Sequence, residues 1–191
     1  MKTRPYRRSS GGFTLVELLV VISIIIVLAA MSFGAISIAT KKKNAVTTLT
    51  DVSALSRAID AFYSEYNKLP TVGSSGDEMV AEGQSGQELL KVLLGKEDTS
   101  SDMQNPRQIA FLTARNTKNK KQGGLVYSNG GQIEGMYDAW GRPLNIKFDD
   151  DYDEEIQDPV TQGGTVRQKR AIVWSFGADG KFGDNDEVKS W

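Results

Sequence analysis

From Leu18 to Thr40 the chain carries no charged side chain, an apolar run of 23 residues. At about 1.5 Å rise per residue such a helix is roughly 34 Å long, enough to cross a hydrocarbon core. Beyond Lys41-Lys42-Lys43, which marks the exit from the membrane, the pattern changes. Ala45, Val46, Leu49, Val52, Leu55, Ile59, Phe62 and Tyr66 recur at spacings of three and four, one face of a helix that packs its own head domain. The pattern predicts one helix, first membrane-embedded and then amphipathic, to about Asn67. Pro70 stops it, because the residue before a proline is pushed out of the helical region.

From Thr71 to Gly86 the composition is that of a loop, and a short apolar helical turn follows over Glu88–Leu94, closed by Gly95. A polar linker runs to Pro106, and Ile109–Ala114 fits either a short helix or a strand. Strand signals come late: Leu125-Val126-Tyr127, an Asn129-Gly130-Gly131 turn, Leu144–Phe148 with alternating faces, and Arg170–Phe176. Helix first and strands last predicts an α+β fold, a long N-terminal helix packed on a small C-terminal antiparallel sheet. The expected divisions are a basic leader (1–12), a membrane segment (13–40), its amphipathic continuation (41–69) and one head domain (70–191).

The 191 residues contain neither cysteine nor histidine, so disulfides, thiolate or imidazole zinc sites and His-based catalysis are excluded. A cation held by oxygen ligands remains open. Of the 23 basic residues four lie in the leader, leaving 19 against 24 acids in the rest, with no basic surplus that would indicate nucleic acid. No nucleophile with a base, phosphate-cradling loop or catalytic carboxylate pair stands at recognisable spacing, so an enzyme is not expected.

Gly11-Gly12-Phe13-Thr14-Leu15-Val16-Glu17 places small residues and one acid directly before the apolar run. A secretory signal has its small residues after the apolar segment. Here Lys2, Arg4, Arg7 and Arg8 hold the start of the chain in the cytoplasm and place the head across the membrane. The rival is a plain signal peptide or signal anchor cut near Ala30 or Ala35. Glu17 weighs against it, since an acid within an apolar segment costs about 2.5–3.5 kcal/mol unless partnered, although an acid this near the helix end can also reach back to the interface.

The arrangement resembles the type IV prepilin family, which includes the pseudopilins of type II secretion. The resemblance implies a pilin-like fold, cleavage between Gly12 and Phe13 by a prepilin peptidase, and methylation of the new amino terminus on Phe13. It further implies that Glu17 meets that amino group on an adjacent subunit during assembly.

Two acidic stretches invite metal readings. Asp149–Asp158 holds seven acids in ten residues, and Asp149, Asp151 and Asp153 alternate as in a calcium loop. Glu154, however, stands where the sharp turn needs glycine, and Val160 where a bidentate acid belongs. A solvated hairpin loop is the favoured reading, as an exposed surface is for the basic cluster Arg115, Lys118, Lys120 and Lys121. The second stretch, Asp179–Glu187, gathers Asp179, Asp184, Asp186 and Glu187 with two glycines, either an acidic hairpin tip or a loop whose carboxylates and carbonyls converge on calcium.

Asp138-Ala139-Trp140-Gly141-Arg142-Pro143, with Trp174-Ser175-Phe176-Gly177-Ala178-Asp179-Gly180, resembles the Asp-Pro-Trp-Gly and Ser-Tyr-Gly-Ala-Asp-Gly motifs of major pseudopilins. Tyr66–Thr71 is similar to that family's helix end. The resemblance implies structural calcium bound through Asp179 and through Asp186 or Glu187, with carbonyls near Phe176 and Lys181. Residues 72–133 match nothing specific. The implied role is a filament subunit in protein export, anchored in a bacterial inner membrane with its head in the periplasm. The implied partners are further copies of itself, minor pseudopilins, an inner-membrane assembly platform and the prepilin peptidase. A type IV pilin and a signal-anchored periplasmic binding domain are the alternatives.

Overall fold

The computed structural model describes residues 12–72, 78–100, 102–161, 163–183 and 185–191, the side chains of residues 31–35 excepted. The basic leader lies outside the described residues, apart from Gly12. The chain divides into two compact units, Met1–Thr40 and Lys41–Trp191. The elements are α1 (Leu15–Tyr66), β1 (Met79–Val80), α2 (Gly83–Leu93), β2 (Asn116–Thr117), β3 (Gly124–Tyr127), β4 (Ile133–Tyr137), β5 (Asn145–Phe148), β6 (Glu155–Gln157), β7 (Thr165–Arg167), β8 (Ala171–Ser175) and β9 (Val188–Lys189). The fold is α+β, a long N-terminal helix followed by mainly antiparallel strands.

α1 ends one residue before the expected Asn67, which turns into the left-handed region at φ 51° while its N–H reaches the Tyr63 carbonyl at 2.7 Å. This is a common helix stop, in which asparagine tolerates the positive φ. In the second unit Val52, Leu55, Ala58, Ile59 and Phe62 are buried as the sequence predicts, each worth roughly 1.5–3 kcal/mol for the larger side chains. The expected stripe fails at its start, where Val46 and Leu49 are exposed and Thr48 and Asp51 are buried in their place. The reason is polar: Thr48 Oγ1 accepts the Ala139 N–H at 3.0 Å, and Asp51 Oδ2 lies 3.6 Å from Arg115.

α2 begins five residues before the expected turn and buries Leu89, Leu90, Val92 and Leu93. Gly86 is required there, since a β-carbon would lie 2.6 Å from the Val80 carbonyl oxygen. Residues 109–114 form neither helix nor strand. They are held by Asn105, fully buried, whose side chain bonds the Ile109 N–H and carbonyl, the Val92 carbonyl and the Tyr66 hydroxyl at 2.7–3.0 Å. The polar linker thus contains the residue that ties α2 to the end of α1.

The strands form three sheets rather than one, ordered β1-β5-β8-β9, β2-β3-β4 and β6-β7. β2 runs parallel to β3 and the other pairs are antiparallel. Across the Asn129–Gly131 turn β3 pairs with β4, a strand that sequence patterning hides because Glu134 and Gly135 interrupt it. Gly135 is needed for close approach: a β-carbon would stand 2.6 Å from the Ala81 carbonyl oxygen, where the next N–H, Met136, bonds at 2.8 Å.

β8 is buried on both faces. Ala171 and Val173 join the main core with α1 and α2, while Ile172 and Trp174 join a second cluster with Ile156 and Val166 from β6 and β7. Alternation along one strand therefore serves two cores. The favoured reading of Asp149–Asp158 as a solvated loop needs correction, because the stretch contains β6 and Asp149 is buried.

Candidate functional site

In the first unit α1 opens with a threonine N-cap. Thr14 Oγ1 accepts the Glu17 N–H at 3.3 Å, satisfying one free N–H at the helix start, and its hydroxyl donates to Glu17 Oε2 at 3.5 Å. Thr14 was legible in the sequence by its spacing from Glu17. Gly12 is exposed, and a β-carbon there would meet nothing within 4 Å. The fold itself does not require glycine at this position.

All thirteen large hydrophobic residues from Phe13 to Leu28 are exposed, between 43% and 79%. Together they present on the order of 1,000 Å² of apolar surface, worth about 25 kcal/mol if covered. Soluble monomers rarely expose contiguous patches beyond a few hundred Å². No helix among the described residues is long and apolar enough to cross a membrane.

In the second unit the two motif segments clamp each other. Asp138, fully buried, accepts the Trp140 and Arg142 N–H groups through Oδ1, both at 2.9 Å, and the Ser175 hydroxyl through Oδ2 at 2.6 Å. Ser175 Oγ in turn accepts the Gly177 N–H at 3.2 Å. Arg142 reaches across to donate to the carbonyls of Gly177 at 2.5 Å and Ala178 at 2.7 Å. Gly180, at φ 74°, must lack a side chain because a β-carbon would lie 2.6 Å from Arg142 Nε. Arg142 and Ser175 were seen in sequence only as parts of motifs, and nothing in their spacing showed that they meet.

The loop so anchored carries the expected metal ligands. Asp179 Oδ1 accepts the Lys181 N–H at 2.7 Å. Asp186 Oδ2 accepts the N–H groups of Ala178 at 2.6 Å and Asp179 at 3.3 Å. Glu187 accepts the Gly183 N–H, which chiefly holds its carboxyl below the usual range. Asp184 lies outside the described residues. The carboxylates therefore fold the loop through its backbone, and Gly177 is held free of a side chain by the adjacent Asp186.

Among the described residues, a cluster of three acids that could hold a metal forms at the other stretch. The ligand oxygens of Asp149, Asp151 and Asp153 lie within 4.8 Å of one another. Asp149 Oδ2 pairs with Arg170 at 2.8 Å, and Arg170 also bonds Glu154 at 2.7 Å while lying over the Tyr63 ring.

In the basic cluster Arg115, Lys118 and Lys121 are exposed as expected, whereas Lys120 is half-buried. Lys120 Nζ pairs with Glu82 at 2.8 Å and Glu134 at 2.7 Å, beneath the Tyr137 ring, and Tyr137 donates to Glu82 at 2.7 Å. These carboxylates raise the Lys120 pKa, and burial is the main cause pushing Tyr137 up to about 12. Arg115 is half exposed but pairs with Asp51 and donates to the Gln122 carbonyl.

Comparison with known proteins bears on the first unit and on the whole chain. A prokaryotic N-terminal methylation motif matches residues 7–33. The chain is 23% identical over 186 residues to the type II secretion system core protein G of Aeromonas hydrophila, covering 97% of this chain and 94% of that one. No solved structure matches significantly.

Proposed function

We infer that this chain is a pseudopilin, a structural subunit of the type II secretion filament, on the methylation motif at its start and its similarity to core protein G along nearly its whole length. The observation that carries the reading is the bare apolar face from Phe13 to Leu28 with a single acid, Glu17, in its first turn. A surface of that size must be covered by lipid before assembly and by other helices after it. Cleavage between Gly12 and Phe13 would leave this helix on the product, and the freedom from packing constraint at Gly12 supports an outside requirement for glycine, that of a processing peptidase. The matched motif supports methylation of the new terminus on Phe13.

In the filament Glu17 pairs with the terminal ammonium of Phe13 on a neighbouring copy. Two such charges about 4 Å apart attract by about 4 kcal/mol at an effective dielectric of 20, and each offsets the other's cost of entering an apolar bundle. The Thr14 hydroxyl supports this role by holding the Glu17 carboxylate at the first turn of the helix. The subunit is placed in the inner membrane with its head in the periplasm. It assembles with its own copies and with minor pseudopilins on an inner-membrane platform.

The C-terminal loop suits calcium by donor chemistry. Asp179, Asp186 and Glu187 offer only oxygen ligands, and their backbone bonds bend the loop around the glycines. Arg142 holds the carbonyls of Gly177 and Ala178 and so anchors the start of the loop. Bound calcium would neutralise the acids and order the end of the head.

Glu17→Ala tests the assembly role. Processing at Gly12 is expected to proceed while filaments recovered from cells that overproduce the subunit fall at least ~10-fold. Filaments in normal number would remove Glu17 from the assembly contact.

A further inference from the structure

We propose that Asp149, Asp151 and Asp153 form a calcium site on the connection between β5 and β6, separate from the C-terminal loop. Their ligand oxygens lie within 4.8 Å of one another. Calcium–oxygen bonds of about 2.3–2.6 Å place opposite ligands roughly 4.6–5.2 Å apart, so the three fit around one ion.

An independent feature points to a ligand. Asp149 Oδ1 is buried without a hydrogen-bond partner, on a side chain with no exposed surface. A carboxylate oxygen can only accept, and a buried acceptor left unmatched is uncommon in folded proteins. Arg170 and the Glu154 N–H occupy the other oxygen. The cation already present therefore leaves Oδ1 for another positive group. Asp149 and Glu154 share the guanidinium of Arg170, and Asp151 and Asp153 bring two further carboxylates to Asp149, whose charge a divalent ion would offset.

The backbone removes the main sequence objection. Glu154 stands sixth in the loop, where calcium loops place glycine for a left-handed turn, and it adopts that turn at φ 64°. Val160 still departs from the pattern, so one strong ligand is missing. An affinity of about 10⁻⁴–10⁻³ M follows, the range of weak extracellular modules. Tyr152, between two of the ligands, accepts the Leu69 N–H at 3.3 Å and lies beside the Tyr63 ring. Calcium would thus fasten this connection over the end of α1 within the head.

The full chain in detergent micelles, stripped of metal by chelator, is titrated with terbium and excited in the tyrosine band, with Tyr152 as the antenna. Sensitised emission is expected, displaced by calcium chloride, at least ~10-fold weaker in the double variant Asp151→Asn/Asp153→Asn, and retained in Asp179→Ala. Calorimetry is expected to show one calcium fewer per chain in the double variant. Equal emission in wild type and double variant overturns the site, as does loss of emission in Asp179→Ala alone. Should the double variant unfold, Tyr152→Phe decides: calcium uptake kept with emission lost supports the site, and unchanged emission overturns it. None of these outcomes depends on filament assembly, so the site and the pseudopilin reading stand or fall separately.

Discussion

Asp51→Asn should make the head more stable at neutral pH. Asp51 sits on α1 with 3% of its surface exposed, and its Oδ2 has no hydrogen-bond partner among the described residues. Burial raises its pKa to about 6, against the opposing pull of Arg115 and the Gly124 N–H. Because the folded pKa exceeds the unfolded one, the native state binds the proton more tightly. The stability this contributes is complete below pH ~4 and is lost as pH rises through about 6.

The gap from 3.8 to about 6, at about 1.4 kcal/mol per pH unit, sets roughly 3 kcal/mol as the upper bound on that loss. Asparagine carries no charge into the site. The pull of Arg115, which is half exposed, is already contained in that shift, and screening by solvent at the Arg115 side brings the figure below the bound. The net gain at pH 7.5 is about 2 kcal/mol, or roughly 4–8 °C in melting temperature for a chain of this size. Thermal melts of both proteins in the same detergent, followed by circular dichroism from pH 4 to 8, isolate this group because the other titrations are shared. The curves should coincide near pH 4 and separate as pH rises. Parallel curves, or a less stable variant at pH 7.5, would refute the buried-charge argument.

Two further outcomes follow from the same packing. Asn105→Ala removes four hydrogen bonds from a fully buried site and should destabilise the head by about 3–5 kcal/mol; a loss below 1 kcal/mol in urea titrations would show that the 109–114 segment holds without it. Calcium chloride should raise the melting temperature of the full chain, and Asp179→Ala should remove the part of that rise that Asp151→Asn/Asp153→Asn leaves; a rise undiminished by Asp179→Ala would take the metal away from the C-terminal loop.

The parts of this protein legible in its sequence are those governed by period and punctuation. The three-and-four spacing of Val52, Leu55, Ile59 and Phe62 gave their burial, and Asn67 with Pro70 gave the helix end. What stayed hidden depended on partners distant in the chain. β4 contains Gly135 because the Ala81 backbone approaches it, and no local pattern can show that. Thr48 and Asp51 were passed over for Val46 and Leu49, since hydrophobicity alone does not reveal that Ala139 and Arg115 wait for polar groups. The acidic stretches reversed in a similar way. Alternation at Asp149, Asp151 and Asp153 was visible, but Glu154 argued against a metal until its left-handed backbone was seen. At Asp179–Glu187 the acids were legible, whereas Arg142 holding the loop's carbonyls was not.

The most direct measurement is intact-mass and N-terminal analysis of the subunit recovered from cells that carry a prepilin peptidase. A chain beginning at Phe13, heavier by one methyl group and still bearing residues 13–40, is the expected product. A chain that keeps its basic leader under those conditions, or one that has lost the apolar helix, would contradict the account.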